Sequence, residues 1–142
     1  MSKANFEWVI LGDLAISCTS RGDMPNERWN EYLQELRAHR VTKVLGAAVG
    51  SLSLSSAQRK QASEIMEELK ITSAGVTDES IVRGFVTALS WVGVNIKAFS
   101  WADLRQAITY LKVPSTLAER AFQAALELRL RVQHGETGNK TA

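Results

Sequence analysis

Four serines stand within six residues, Ser51, Ser53, Ser55 and Ser56, just after Gly50 and an apolar run, Val44-Leu45-Gly46-Ala47-Ala48-Val49. Ser55-Ser56 opens a polar-faced helical pattern. A helix N-terminus presents unpaired N–H groups and the positive end of the helix dipole, so it tolerates negative charge. A phosphate on Ser56 or Ser55 would add roughly −1.5 to −2 charges there. Such a group would repel an acidic partner or recruit one bearing arginine. The plainer use of the same residues is structural: one serine caps the helix and the rest fill the loop. An unmodified binding surface at this loop is the third reading.

Other chemistry is thinly supported. Gly46-x-x-x-Gly50-Ser51 lacks the Gly-Lys-Ser/Thr of a phosphate-binding loop, and no Gly-x-Gly-x-x-Gly occurs. Cys18 and His39 could be paired as nucleophile and base. Cys18 sits in a strand-like run, where a lone cysteine is ordinarily core. His39 closes a helix and complements its dipole. With His134 near the end of the last helix, the two histidines do not have metal-ligand spacing. Asp13, Asp23, Asp78 and Asp103 fall at turns or caps, and Asp13 and Asp78 could approach each other at a sheet edge. Arg21-Gly22-Asp23 reads as a chance tripeptide. No catalytic residue, metal or cofactor is therefore expected.

The elements that must position the serine loop follow from periodicity. Phe6–Leu11 and Leu14–Thr19 flank Gly12-Asp13 and predict a β-hairpin. Trp29, Tyr32, Leu33 and Leu36 recur at helical spacing within a helix from about Pro25 to His39. Val41–Val49 lacks strict alternation, which suggests a central strand buried on both faces. A helix from Ser55 or Ser56 to about Lys70 buries Ala62, Ile65, Met66 and Leu69. Ile71–Val76 is a strand, and Thr77 or Asp78 caps a third helix, about Glu79 to Val92, that Gly93 ends. Val94–Phe99 is the last strand. Ser100 caps a short helix, and Pro114 opens a final helix of about 114–133. The tail 135–142 is polar and expected to be disordered. The order β-β-α-β-α-β-α-β-α-α implies an α/β fold, a mainly parallel sheet with an N-terminal hairpin and helices packed on it. Residues 1–134 form a single domain.

Composition agrees. The 142 residues are 45% hydrophobic and 23% charged, with net charge +2, too little to argue for nucleic acid. No apolar run approaches the ~20 residues of a membrane helix. One cysteine and no signal-peptide pattern point to the cytoplasm.

Over residues 6–111 this order resembles the STAS domain of bacterial anti-sigma-factor antagonists and sulfate transporters. In that family an apolar strand, a loop glycine and Asp-Ser-Ser or Asp-Ser-Gly open a helix. Here the strand is Val44–Val49, the glycine is Gly50, and the opening is Leu54-Ser55-Ser56-Ala57. Ser56 matches the position of the family's phosphorylated serine. Ser55 stands where the family has Asp, and Ala47 or Ala48 where the strand usually has an acidic residue. The resemblance implies a non-enzymatic regulator that binds another protein, a kinase or signalling partner. Its contact surface would comprise Gly50, Ser51, Leu52, Ser53, Leu54 and Asp78. Trp91, about 70–100° from the centre of the third helix's apolar stripe, is either a core border or a further contact.

The final helix adds an alternative. Leu117, Ala121, Ala125, Leu128 and Val132 make one apolar face, and Phe122, Leu126 and Leu130 carry apolar character to the far side. That pattern suggests a homo-oligomer interface at Phe122, Leu126 and Leu130, and hence a scaffolding component. A small-ligand or nucleotide-binding module at the same sheet edge is a further alternative.

Overall fold

A computed structural model describes residues 2–80 and 95–136. Its strands are β1 (Phe6–Leu11), β2 (Leu14–Thr19), β3 (Gly22–Asp23), β4 (Lys43–Ala48), β5 (Leu52–Ser53), β6 (Thr72–Val76) and β7 (Ile96–Phe99). Its helices are α1 (Asn26–Ala38), α2 (Ser56–Glu68), α3 (Leu104–Tyr110) and α4 (Ser115–Glu136), with a 3-10 turn at Trp101–Asp103 before α3. The fold is α/β. Five strands form a mixed sheet in the order β1-β2-β4-β6-β7. The hairpin β1-β2 is antiparallel, and β2-β4, β4-β6 and β6-β7 are parallel. The run read as a central strand is indeed the middle of the five. The third predicted helix and Trp91 lie outside the described residues.

Side chains alternate across the sheet, as the pleat requires. Leu14, Ile16 and Cys18 of β2, Leu45 and Ala47 of β4, Ala74 and Val76 of β6 and Phe99 of β7 face one side. There they meet Leu104, Ala107 and Ile108 of α3 and Ala121, Ala125, Leu128 and Val132 of α4 in one cluster. Phe6, Trp8 and Ile10 of β1, Ala15 of β2 and Val44 of β4 point the other way. They pack with Trp29, Tyr32, Leu33 and Leu36 of α1 and with Ile65 of α2. Cys18 is fully buried in the first cluster, in keeping with a core cysteine.

The final helix lies against β1, β2 and α3 and forms much of the wall on its side, with Ala121, Ala125, Leu128 and Val132 in the core. It also runs through Gly135 to Glu136, so the chain is still helical where the tail was expected to begin.

Candidate functional site

The serine loop is held more tightly than a Gly/Ser run suggests. β5 pairs in parallel with β3, a contact between two stretches that both read as loops. Gly22 N–H donates to the Ser51 carbonyl at 3.1 Å, and Met24 N–H to the Ser53 carbonyl at 3.0 Å. The N-terminal segment joins from the other side, with Ala4 N–H donating to the Asp23 carbonyl at 2.8 Å. Glycine is required at the crossing. Gly22 has φ +127°, and a Cβ there would stand 2.9 Å from the Ala4 nitrogen. Gly50 has φ +86° and backs onto Arg21. Arg21-Gly22-Asp23 is thus built into a backbone ribbon.

Within the loop the side chains divide. Leu52 and Leu54 are half-buried and turn onto the α1/α2 core. Ser51 and Ser53 are exposed, and Ser51 Oγ donates to Glu79 Oε1 at 3.1 Å. Ser55 is the N-cap of α2. Its Oγ accepts from Gln58 N–H at 3.1 Å, and Gln58 Oε1 accepts from Ser55 N–H at 2.9 Å, a capping box. The buried Gln58 amide also donates to the Met24 carbonyl at 3.0 Å and to Asn26 Oδ1 at 2.8 Å. One side chain therefore ties the start of α2 to the start of α1. The Ser55-x-x-Gln58 spacing is the signal that could have revealed it.

Ser56 occupies the first turn of α2 and is exposed. Arg59 Nη2 donates to Ser56 Oγ at 3.2 Å, and Arg59 Nη1 donates to the Leu54 carbonyl at 2.7 Å. The guanidinium is thereby parked beside this hydroxyl.

Asp78 serves an internal contact. Its Oδ1 accepts from Trp101 N–H at 3.0 Å, while the Trp101 indole N–H donates to the Ala48 carbonyl at 2.9 Å. The Arg129 guanidinium covers that indole at 4.4 Å. Thr77 Oγ1 accepts from Glu79 N–H at 3.1 Å; the helix that Thr77 or Asp78 was expected to cap lies outside the described residues. Asp13 does not approach Asp78. It sits in the β1-β2 turn and accepts from Thr42, at the end of the sheet opposite Asp78. Ser100 makes no cap bond to backbone; its Oγ donates to Asp103 Oδ2 at 3.2 Å.

On α4 the proposed interface separates residue by residue. Arg105 stacks on Phe122 at 3.8 Å and pairs with Glu119 at 3.1 Å. Gln123 and Arg105 together hold the Glu119 carboxyl below its usual range. Phe122 and Leu126 are half-buried against the core, while Leu130 is 59% exposed.

Among the described residues no group of three or more His, Cys, Asp or Glu is placed to hold a metal ion. No helix among them is long and apolar enough to cross a membrane. No protein-family model matches the chain, and no curated protein matches it in sequence.

Proposed function

We propose that this chain is a non-enzymatic, STAS-like regulatory module that acts through protein–protein contact at the end of β4 and the start of α2, switched by phosphorylation of Ser56. The mixed sheet, its opening hairpin and the strand–Gly50–Ser56–helix junction support the fold part of this reading. One observation carries the switch: the two adjacent serines have different duties. Ser55 spends its oxygen on the capping box, whereas Ser56 is exposed on the first turn with Arg59 against its hydroxyl. A phosphate on Ser56 would meet the helix dipole and a charge-assisted bond from Arg59. A phosphate on Ser55 would have to break the cap.

The test is the pair Ser56→Asp and Ser56→Ala, compared for retention of the same partner protein. Binding should change in opposite directions. Equal retention by both variants sinks the switch. Self-association through α4 remains a second reading, favoured only by the exposed Leu130. If it operates, Leu130→Glu should lower the mass measured by light scattering without unfolding the chain.

A further inference from the structure

The face of the sheet under α1 and α2 is lined by small residues at its middle. Ser17 of β2 stands beside Gly46 of β4, and Gly46 beside Gly75 of β6. Flanking strands and helices carry large groups, among them Phe6, Trp29 and Tyr32. Among the described residues this small row borders an open space. It is a cavity of about 210 Å³ with an almost wholly apolar lining. Ile65, Leu52 and Leu54 are among its walls.

A polar group in that lining lacks a partner. The Tyr32 hydroxyl is buried and, among the described residues, makes no hydrogen bond. Burial pushes its pKa up to about 12, and Ser17 beside it pulls slightly the other way without forming a bond of proper geometry. A buried hydroxyl without a partner costs stability, about 1–3 kcal/mol in general. Tyr32 and Ser17 both line the cavity. The cavity thus has a greasy body and one polar corner with unused hydrogen-bonding capacity.

We propose that this cavity is a binding site for a small, mainly apolar molecule carrying one hydroxyl or carbonyl, which Tyr32 and Ser17 would bond. An apolar cavity of ~150 Å³ takes benzene, so this one should admit roughly eight non-hydrogen atoms. The site is independent of the Ser56 switch: it draws on the interior of the α1/α2 layer, and its test does not involve a partner protein.

Two probes of the same shape and size decide it, 4-methylphenol and 1,4-dimethylbenzene, titrated into the full chain and followed by NMR. Both should shift resonances of cavity residues such as Ile65 and Ala48. Tyr32→Phe should weaken 4-methylphenol about three- to tenfold, one hydrogen bond's worth, and leave 1,4-dimethylbenzene unchanged or tighter. Gly46→Leu, which projects into the cavity, should abolish both if it folds. The proposal is overturned if neither probe shifts the cavity residues up to its solubility limit. It is also overturned if Tyr32→Phe treats the two probes alike, or if folded Gly46→Leu binds them as the wild type does. Should Gly46→Leu not fold, the Tyr32→Phe comparison decides alone.

Discussion

The two faces of the sheet are built on different plans from neighbouring residues of the same strands. Toward α3 and α4 the strands present Leu14, Ile16, Cys18, Leu45 and Val76, each no more than 2% exposed. Small helix residues, Ala107, Ala121 and Ala125, let those helices come close, so large meets small and space is filled. Toward α1 and α2 the strands present Ser17, Gly46, Ser73 and Gly75 at the centre, and the large groups sit on the helices and on β1. Among the described residues, aromatic rings fill the β1 side, where Phe6 meets Tyr32 edge-on at 5.0 Å and Trp8 meets Tyr32 at 5.2 Å. One face is therefore closed by packing. The other keeps an apolar cavity and an orphaned hydroxyl beneath the loop that carries the serines.

The largest expected effect breaks the closed face. A chain ending after Val113 lacks α4 and uncovers Leu14, Ile16 and Cys18 together. It should show no cooperative thermal transition by far-UV circular dichroism. A folded truncation would mean that α4 is not needed to close this face. A gentler version keeps the helix: Leu128→Ala, at a site 2% exposed, should cost about 2–5 kcal/mol in urea unfolding. A loss below about 1 kcal/mol would deny that this face is tightly filled.

Tyr32 sharpens the contrast on the open face. Its folded pKa is raised from 10.0 to about 12 by burial. The native state therefore holds the phenolic proton more tightly than the unfolded chain does. The stability linked to that proton is complete below pH 10 and is lost as pH rises from 10 toward 12, by about 3 kcal/mol at most. Tyr32→Phe removes this loss. At neutral pH it should be neutral or stabilising, by up to about 1–3 kcal/mol, because it deletes an unpaired buried hydroxyl. Urea titrations of both proteins at pH 7 and pH 11 check both statements. A Phe variant destabilised at pH 7 would show that the hydroxyl has a partner in solution.

Most of the fold was legible because the strands and helices announce themselves by period. Phe6–Leu11 and Leu14–Thr19 were expected with their observed bounds, and Leu117, Ala121, Ala125, Leu128 and Val132 were expected on one face. The β3-β5 ribbon was not legible. It consists of two-residue strands, Gly22–Asp23 and Leu52–Ser53, held by backbone bonds that leave no side-chain pattern. The candidate site was only half legible. Choosing Ser55 as the cap needed the reach of Gln58, and the burial of Leu52 and Leu54 depends on where α1 lies. A helical wheel places Phe122 and Leu126 beyond the main apolar face, but it cannot show that Arg105 comes from another helix to cover Phe122. The cavity was unreadable for a similar reason: Ser17, Gly46 and Gly75 become neighbours only through strand register.

The smallest effect is the most direct probe of the open face. Gly46 has no conformational need for glycine, since its φ is not positive. A Cβ built there would lie 3.7 Å from Ser17 Oγ and 3.9 Å from Val44 Cγ1, ordinary contacts. Gly46→Ala should therefore stabilise the protein by about 0.4–1 kcal/mol, because alanine has fewer unfolded conformations to lose and adds a methyl group to the apolar wall. On the closed face added carbons have nowhere to go: Ala121→Val, two methyl groups larger, should cost about 1–3 kcal/mol by overpacking. The opposite signs of these two enlargements, measured by urea unfolding, are what the contrast between the faces demands. If Gly46→Ala destabilised the chain as much as Ala121→Val, the small row on β2, β4 and β6 would be filled in solution, and the space beneath α1 and α2 would be closed to a ligand.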